Sequence, residues 1–146
     1  MEISKQVVSL DLSKKLKELG VKQESLWYWV KYDETNENYK DYIVKDWFLL
    51  PDCGETSCNG EDWAYIKEET YSAFTVAELG EMLPYKIPTS EFYLTIGKGK
   101  LEYFVYYVTQ NNWQYYYNGI SFHNKTEANA RAKMLIYLLE NKLMEI

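Results

Sequence analysis

Few residues in this chain carry catalytic or metal-binding chemistry, and their spacing limits what they can do. Cys53 and Cys58 are separated by four residues in the segment DCGETSCNGED, and His123 is the only histidine. A structural zinc site needs four ligands, so two thiolates and one imidazole would have to borrow carboxylates. No metal is expected, and in a reducing compartment the default for both cysteines is the free thiol. His123 has the side chain whose pKa lies nearest neutrality, as a general base requires. It sits at a strand end just before a helix start, where a histidine commonly bonds to backbone at a junction. No Ser, Cys or Asp pattern marks a nucleophile. The GKGK at 97–100 has no strand-loop-helix context and reads as a hairpin turn instead of a phosphate loop. These residues predict no enzyme and no cofactor.

Binding chemistry is better represented. The chain is 17% aromatic, with 15 Tyr, 5 Trp and 5 Phe. Tyr103, Phe104, Tyr106, Tyr107, Trp113, Tyr115, Tyr116 and Tyr117 fall on neighbouring predicted strands, so odd and even members point to opposite faces. One face packs under a helix. The other forms ordinary cross-strand pairs, or leaves a row of rings that pairs with a second copy or stacks on a flat ligand. Arg131 is the sole arginine, and its planar fork suits bidentate contact with phosphate. The candidate ligand-binding set is therefore Arg131, Trp113, Tyr115, Tyr117, Tyr106 and His123. A second candidate is the acidic segment 52–69, where Asp52, Glu55, Glu61, Asp62, Glu68 and Glu69 face only Lys67. It is either a solvated loop or a partner-facing patch that mimics nucleic-acid charge.

The elements that must position these residues are legible from periodicity. Asn124 with Glu127 resembles a capping box. Ala128, Ala132, Leu135, Leu139 and Leu143 then recur at helical spacing, predicting a helix over 124–144 with one core-facing stripe. Near the N-terminus, Ser9 or Asp11 caps a first helix with Leu12, Leu16 and Leu19 on its apolar edge, and Gly20-Val21 ends it in a Schellman motif. Thr75 and Glu78 form a capping box for a short helix that Phe74 staples to Leu79 and that stops near Pro84. Strands are expected over 26–32 and 39–50, joined by the polar turn 33–38, with a possible short strand in WAYIK at 63–67. Further strands are expected in FYLTI, LEYFVYYV, WQYYY and ISFH, with turns at GKGK, Asn111-Asn112 and Asn118-Gly119. The order predicts an α+β fold, a mostly antiparallel sheet with a C-terminal helix packed across it and two shorter helices.

At 146 residues the chain reads as a single domain over 1–146 with a sizeable core. A net charge of −6 argues against duplex nucleic acid as a partner, since phosphate contacts need a basic face, and no direct nucleic-acid binding is expected. No basic start leads into an apolar run, and no stretch approaches a membrane span, so the expected location is cytoplasmic.

Three segments carry a family resemblance: LSKKLKELGVKQESLWYWV, FTVAELGEMLP and TEANARAKMLIYLLENKLM. Together they resemble a family of small, mostly uncharacterised proteins encoded by phages and prophages of gut bacteria, in which a comparable helix follows a Tyr- and Trp-rich sheet. The chain departs from that pattern at the Cys-containing acidic loop and over 124–129. The resemblance implies a phage origin, hence the cytoplasm of an infected host bacterium and a host-directed role. The resulting expectation is a non-enzymatic binding protein that antagonises host defence by sequestering a nucleotide-type small-molecule signal. The alternative is a protein-protein inhibitor or acidic nucleic-acid mimic that blocks a host defence protein. Self-association as a homodimer is expected from the surplus of aromatic strand surface. Replacing Leu135 with Asp buries an unpaired charge; loss of the cooperative thermal transition is expected, and an unchanged Tm would refute the assigned core face.

Overall fold

A computed structural model describes residues 2–31, 47–52, 70–88, 90–109 and 120–146. The cysteine loop, the WAYIK segment, the turn 33–38, and the WQYYY segment with its flanking turns lie outside the described residues. The described chain is α+β: a 3-10 turn (Ile3–Lys5), α1 (Leu10–Glu18), β1 (Trp27–Val30), β2 (Phe48–Pro51), β3 (Tyr71–Ser72), α2 (Val76–Met82), β4 (Phe92–Lys98), β5 (Tyr103–Thr109), β6 (Ile120–Asn124) and α3 (Glu127–Glu140). The antiparallel pairing is divided between two three-stranded sheets, ordered β2-β1-β3 and β4-β5-β6.

Local signals set the two shorter helices. α1 ends as its sequence predicts. Gly20 takes a φ of 85°, Val21 N–H reaches the Leu16 carbonyl at 3.0 Å, and Gly20 N–H reaches that of Lys17 at 3.0 Å. Ser9 starts α1, but with its backbone: its N–H donates to Asn129 Oδ1 on α3 at 2.8 Å. The α2 capping box is present in both directions, Glu78 N–H donating to Thr75 Oγ1 at 3.3 Å and Thr75 N–H to Glu78 Oε2 at 2.6 Å. Phe74 and Leu79 are both fully buried, as the staple requires. Leu83 is extended ahead of Pro84 and closes the helix.

The long helix differs from its sequence reading at both ends and around its girth. Asn124 is paired with Tyr103 as the last residue of β6, so it stays extended, and the cap is Thr126, whose Oγ1 accepts from Asn129 N–H at 3.3 Å. Asn124 Oδ1 accepts from Thr126 N–H instead. At the other end Lys142 adopts a φ of 54° and Leu143 N–H reaches the Leu138 carbonyl at 2.8 Å, a Schellman turn that folds Leu143 back onto the core. Ala128, Ala130, Ala132, Met134, Leu135, Ile136 and Leu138 are all buried, too many and too dispersed for one stripe. α3 lies between β5 and β6 on one side and α1 and α2 on the other.

The first sheet is fastened by side chains that reach its neighbours. Trp29 Nε1 donates to the Val8 carbonyl at 2.8 Å, and residues 6–8 pair with 74–76 through a Val7–Thr75 bridge. Pro51 is inside β2, opposite Trp27, on the outer strand of the described sheet where a missing N–H is tolerated. Glu78 does more than cap α2. Its Oε1 accepts from Leu26 N–H at 2.9 Å and its Oε2 from Ser25 Oγ at 3.2 Å, so one carboxylate fixes the entry to β1 as well.

Burial pushes the Glu78 pKa up, but the hydrogen bonds from Thr75, Leu26 and Ser25 outweigh it and hold the carboxyl below the usual 4.5. A depressed native pKa means that the contribution is complete above about pH 4.5 and is lost as pH falls through the lower native value. Glu78→Gln should cost about 1 kcal/mol near neutrality, a modest figure because the group is partly solvent-screened. Urea titrations should show that gap closing below about pH 4.5. A gap that persists at lower pH would contradict the assigned role.

Candidate functional site

Alternation along β4, β5 and β6 sorts their side chains into two faces. Phe92, Leu94, Ile96, Tyr103, Val105, Tyr107, Ile120 and Phe122 pack into the core with α3. Tyr107 is fully buried and donates its hydroxyl to the Pro84 carbonyl at 2.5 Å, and burial pushes its pKa up to about 12. The other face carries Tyr93, Thr95 and Gly97 from β4, Phe104, Tyr106 and Val108 from β5, and Ser121 and His123 from β6, all half-buried or exposed. The register aligns these residues in rows: Tyr93 with Val108, Thr95 with Tyr106 and Ser121, and Gly97 with Phe104 and His123. This outer face is the candidate site.

Its rings are held in defined positions. Phe104 and His123 meet edge to face, with centroids 4.8 Å apart. His123 Nδ1 stands 3.7 Å from Glu102 Oε2. The Phe104 ring also lies over the glycines of the β4–β5 connection: a Cβ on Gly99 would come within 2.6 Å of it. That connection comes later than the expected GKGK turn. β4 continues through Lys98, and Gly99 N–H closes on the Glu102 carbonyl at 2.8 Å. At the opposite end of β4, residues 85–87 pair with the strand through a Lys86–Tyr93 bridge. They bring Tyr85 edge-on to Tyr93 at 5.6 Å and set Lys86 Nζ 5.3 Å from the Tyr93 ring. Glu91 bonds Lys86 Nζ at 3.2 Å and raises the ammonium pKa above the usual lysine range.

Of the sequence candidates, Tyr106 and His123 share this face. Arg131 does not. Its Nε donates to Glu127 Oε1 at 2.9 Å, its Nη2 binds the same oxygen, and its side chain is only 15% exposed. Its Nη1 lies against Gly80 of α2, where a Cβ would stand 2.8 Å away. Arg131 therefore belongs to the crossing of α2 and α3, while Tyr106 and His123 lie on the far side of the sheet. The i,i+4 spacing of Glu127 and Arg131 was a readable signal for that pairing. Trp113, Tyr115 and Tyr117 lie outside the described residues. The expected backbone junction role of His123 is replaced by contacts with a carboxylate and a ring. Tyr93, Phe104, Tyr85 and Lys86 complete the face, and the period-two pattern of FYLTI and LEYFVYYV carried the signal for the first two.

A second aromatic cluster joins α1 to the first sheet. Trp47 and Tyr71 are 5.3 Å apart, with Lys14 Nζ 4.8 Å from the Trp47 centroid and Lys17 Nζ 4.8 Å from that of Tyr71. Lys17 also donates to the Thr70 carbonyl at 3.1 Å, so these cations act as fasteners between layers. Among the described residues no group of three His, Cys, Asp or Glu side chains could hold a metal ion, and no helix is long and apolar enough to cross a membrane.

Comparison with protein-family models, with curated proteins and with solved structures finds no match. The site must therefore be read from its own geometry.

Gly99→Ala forces its methyl into the Phe104 ring. It should lower stability by about 1–3 kcal/mol and shift the Phe104 and His123 resonances together. Unchanged spectra would show that the ring is not seated over Gly99.

Proposed function

We propose that this chain is a non-enzymatic binding protein that holds a nucleotide-type ligand by stacking its base on the outer face of the β4-β5-β6 sheet. The observation that carries this reading is the alternation on the middle strand. Val105 and Tyr107 are buried, while Phe104 and Tyr106 present two neighbouring rings on the other side, flanked by Tyr93 and His123. Stacking of a base on an aromatic side chain is worth about 1–3 kcal/mol and tolerates any base, because every base has a π face. Lys86, already above the Tyr93 ring, is placed to meet a phosphate. Glu91 bonds it as Glu127 bonds Arg131, but Lys86 is more exposed, so a phosphate can displace that carboxylate and Lys86 can take the role that the sequence suggested for Arg131. In the phage setting implied by the family resemblance, such a protein sequesters a host defence signal. The other reading, an acidic blocking surface over 52–69, falls outside the described residues apart from Asp52. A homodimer formed through the aromatic face would compete with ligand.

The test is a thermal-shift and calorimetry screen against nucleotides and cyclic nucleotides, with light scattering on the same samples. A saturating ligand at about 100 times its Kd should stabilise the fold by about 2.7 kcal/mol. Tyr106→Ala should abolish that shift while preserving the unliganded fold. Absence of any nucleotide effect alongside a stoichiometric host protein recovered from lysate would replace this reading with the blocking one. Turnover of a nucleotide would overturn the non-enzymatic assignment.

A further inference from the structure

We infer that the outer edge of β4 over 95–98 is a self-association surface, on which a second copy of this chain pairs antiparallel across a two-fold axis at Gly97. Such pairing uses the rim of the sheet and neither of its faces, so it stands or falls apart from the ligand proposed above. Backbone direction on β4 is fixed by the bonds it makes. Gly99 N–H closes on the Glu102 carbonyl at 2.8 Å, in the same register that pairs Gly97 with Phe104 and Thr95 with Tyr106. Odd-numbered residues of β4 therefore direct their N–H and C=O groups toward β5, and even-numbered ones direct theirs away. Two of the outward residues are used: the Phe92 carbonyl accepts from Ile87 N–H at 3.0 Å, and Leu94 N–H donates to the Tyr85 carbonyl at 2.8 Å. The pairing of 85–87 stops there. Pro84 has no N–H to continue it, and its carbonyl takes the hydroxyl of Tyr107, a core-facing side chain, so the chain leaves the plane of the sheet at that point. Ile96 and Lys98 come next along the edge, and among the described residues nothing hydrogen-bonds their outward backbone groups.

An unpaired edge is normally blunted by a charge, a proline or a covering element. Over 95–98 the only charge is Lys98, and its ammonium is drawn back over the Tyr103 ring on β5, 5.2 Å from the centroid. The edge is also self-complementary. One antiparallel register uses both outward residues on each copy: Ile96 stands opposite Lys98 of the partner subunit, Lys98 opposite the partner's Ile96, and Gly97 opposite the partner's Gly97. Each Ile96–Lys98 pair then exchanges both of its N–H···O bonds. The facing glycines form the closer, non-hydrogen-bonded pair, with Cα atoms about 4.5 Å apart, where the lack of side chains lets the two edges meet. The same register accounts for two exposed apolar residues. Tyr85 is 70% exposed where the pairing of 85–87 stops, and Leu101 is 83% exposed at the apex of the β4–β5 turn, at the opposite end of the free edge. Antiparallel pairing brings unlike ends together, so Leu101 comes beside the partner's Tyr85 and Tyr85 beside the partner's Leu101. An unrelated strand would satisfy the backbone and leave both side chains in water, which is why a second copy is the fitting occupant. The interface is small, of the size that gives weak and reversible association.

Sedimentation velocity on the full chain, with reductant present to exclude disulfide-linked pairs, should show a monomer–dimer equilibrium with a Kd on the order of tens of micromolar. Gly97 has room for a side chain, since a Cβ there would meet nothing nearer than Phe104 Cδ2 at 3.9 Å. Gly97→Glu and Gly97→Lys therefore test the axis with the monomer fold retained, as melting curves should confirm. Each alone sets like charges opposite one another and should weaken dimerisation about fivefold or more. An equimolar mixture of the two should dimerise again, a recovery that no misfolded variant would give. Lys98→Pro removes an outward N–H and leaves the bonds to β5 in place; it should weaken dimerisation about tenfold through the two bonds lost per dimer. A chain still monomeric at about ten times that Kd, a dimer left intact by all three variants, or a mixture that fails to reassociate would overturn the edge assignment. None of these outcomes bears on the nucleotide screen, whose failure in turn would leave the edge pairing standing.

Discussion

Everything in this fold is arranged around a helix that must be apolar on nearly every side. α3 meets β5 and β6 on one flank and α1 and α2 on the other, so both flanks need close packing. Its first turns answer with Ala128, Ala130 and Ala132, small enough for sheet and helices to approach the backbone together. The later turns carry Met134, Leu135, Ile136 and Leu138, larger side chains that are buried in the core. Two polar residues of the early turns are drawn into the packing. Asn129 accepts from the start of α1, and Arg131 closes on Glu127 beside the glycine of α2. Gly80 costs α2 some helix propensity, about 1 kcal/mol relative to alanine, and in return leaves room for the guanidinium.

A helix enclosed in this way uses up only one face of the second sheet, and the consequence is the aromatic outer face. Tyr107 and Tyr106 are neighbours in sequence with opposite fates. One is buried with its hydroxyl on the Pro84 carbonyl; the other stands on the half-exposed side beside Thr95 and Ser121. Tyrosine suits both places, since its ring gains from burial and its hydroxyl can be satisfied by backbone or by water. The high Tyr content thus has two separate causes, core filling and surface, within a single strand.

The first sheet is joined to the rest by polar and cation–ring links. Glu78 ties the start of α2 to the start of β1, Trp29 reaches back to Val8, and Lys14 and Lys17 span the gap to Trp47 and Tyr71. The tight approach of α1 to β3 has a cost. The hydroxyls of Ser13 and Ser72 are buried with no hydrogen-bond partner among the described residues, a penalty of about 1–3 kcal/mol each. Both residues are small, which is what close packing of these elements requires.

What the sequence determined by itself is whatever depends on residues close along the chain. The Thr75–Glu78 capping box, the Phe74–Leu79 staple, the glycine stop of α1 and the alternation of β4 and β5 were all legible, because each is a bond or a period spanning a few residues. The α+β class followed from their order. Tertiary structure decided the rest. Asn124 and Thr126 are both good caps, and only the pairing of Asn124 with Tyr103 moved the helix start to Thr126. Arg131 could equally have met phosphate or carboxylate, and the packing of α3 against α2 gave it Glu127 and Gly80. The division into two sheets, the second buried side of α3 and the separation of Arg131 from Tyr106 and His123 depend on which distant surfaces meet. That choice minimises exposed apolar area over the whole chain at once, so no local window of residues contains it.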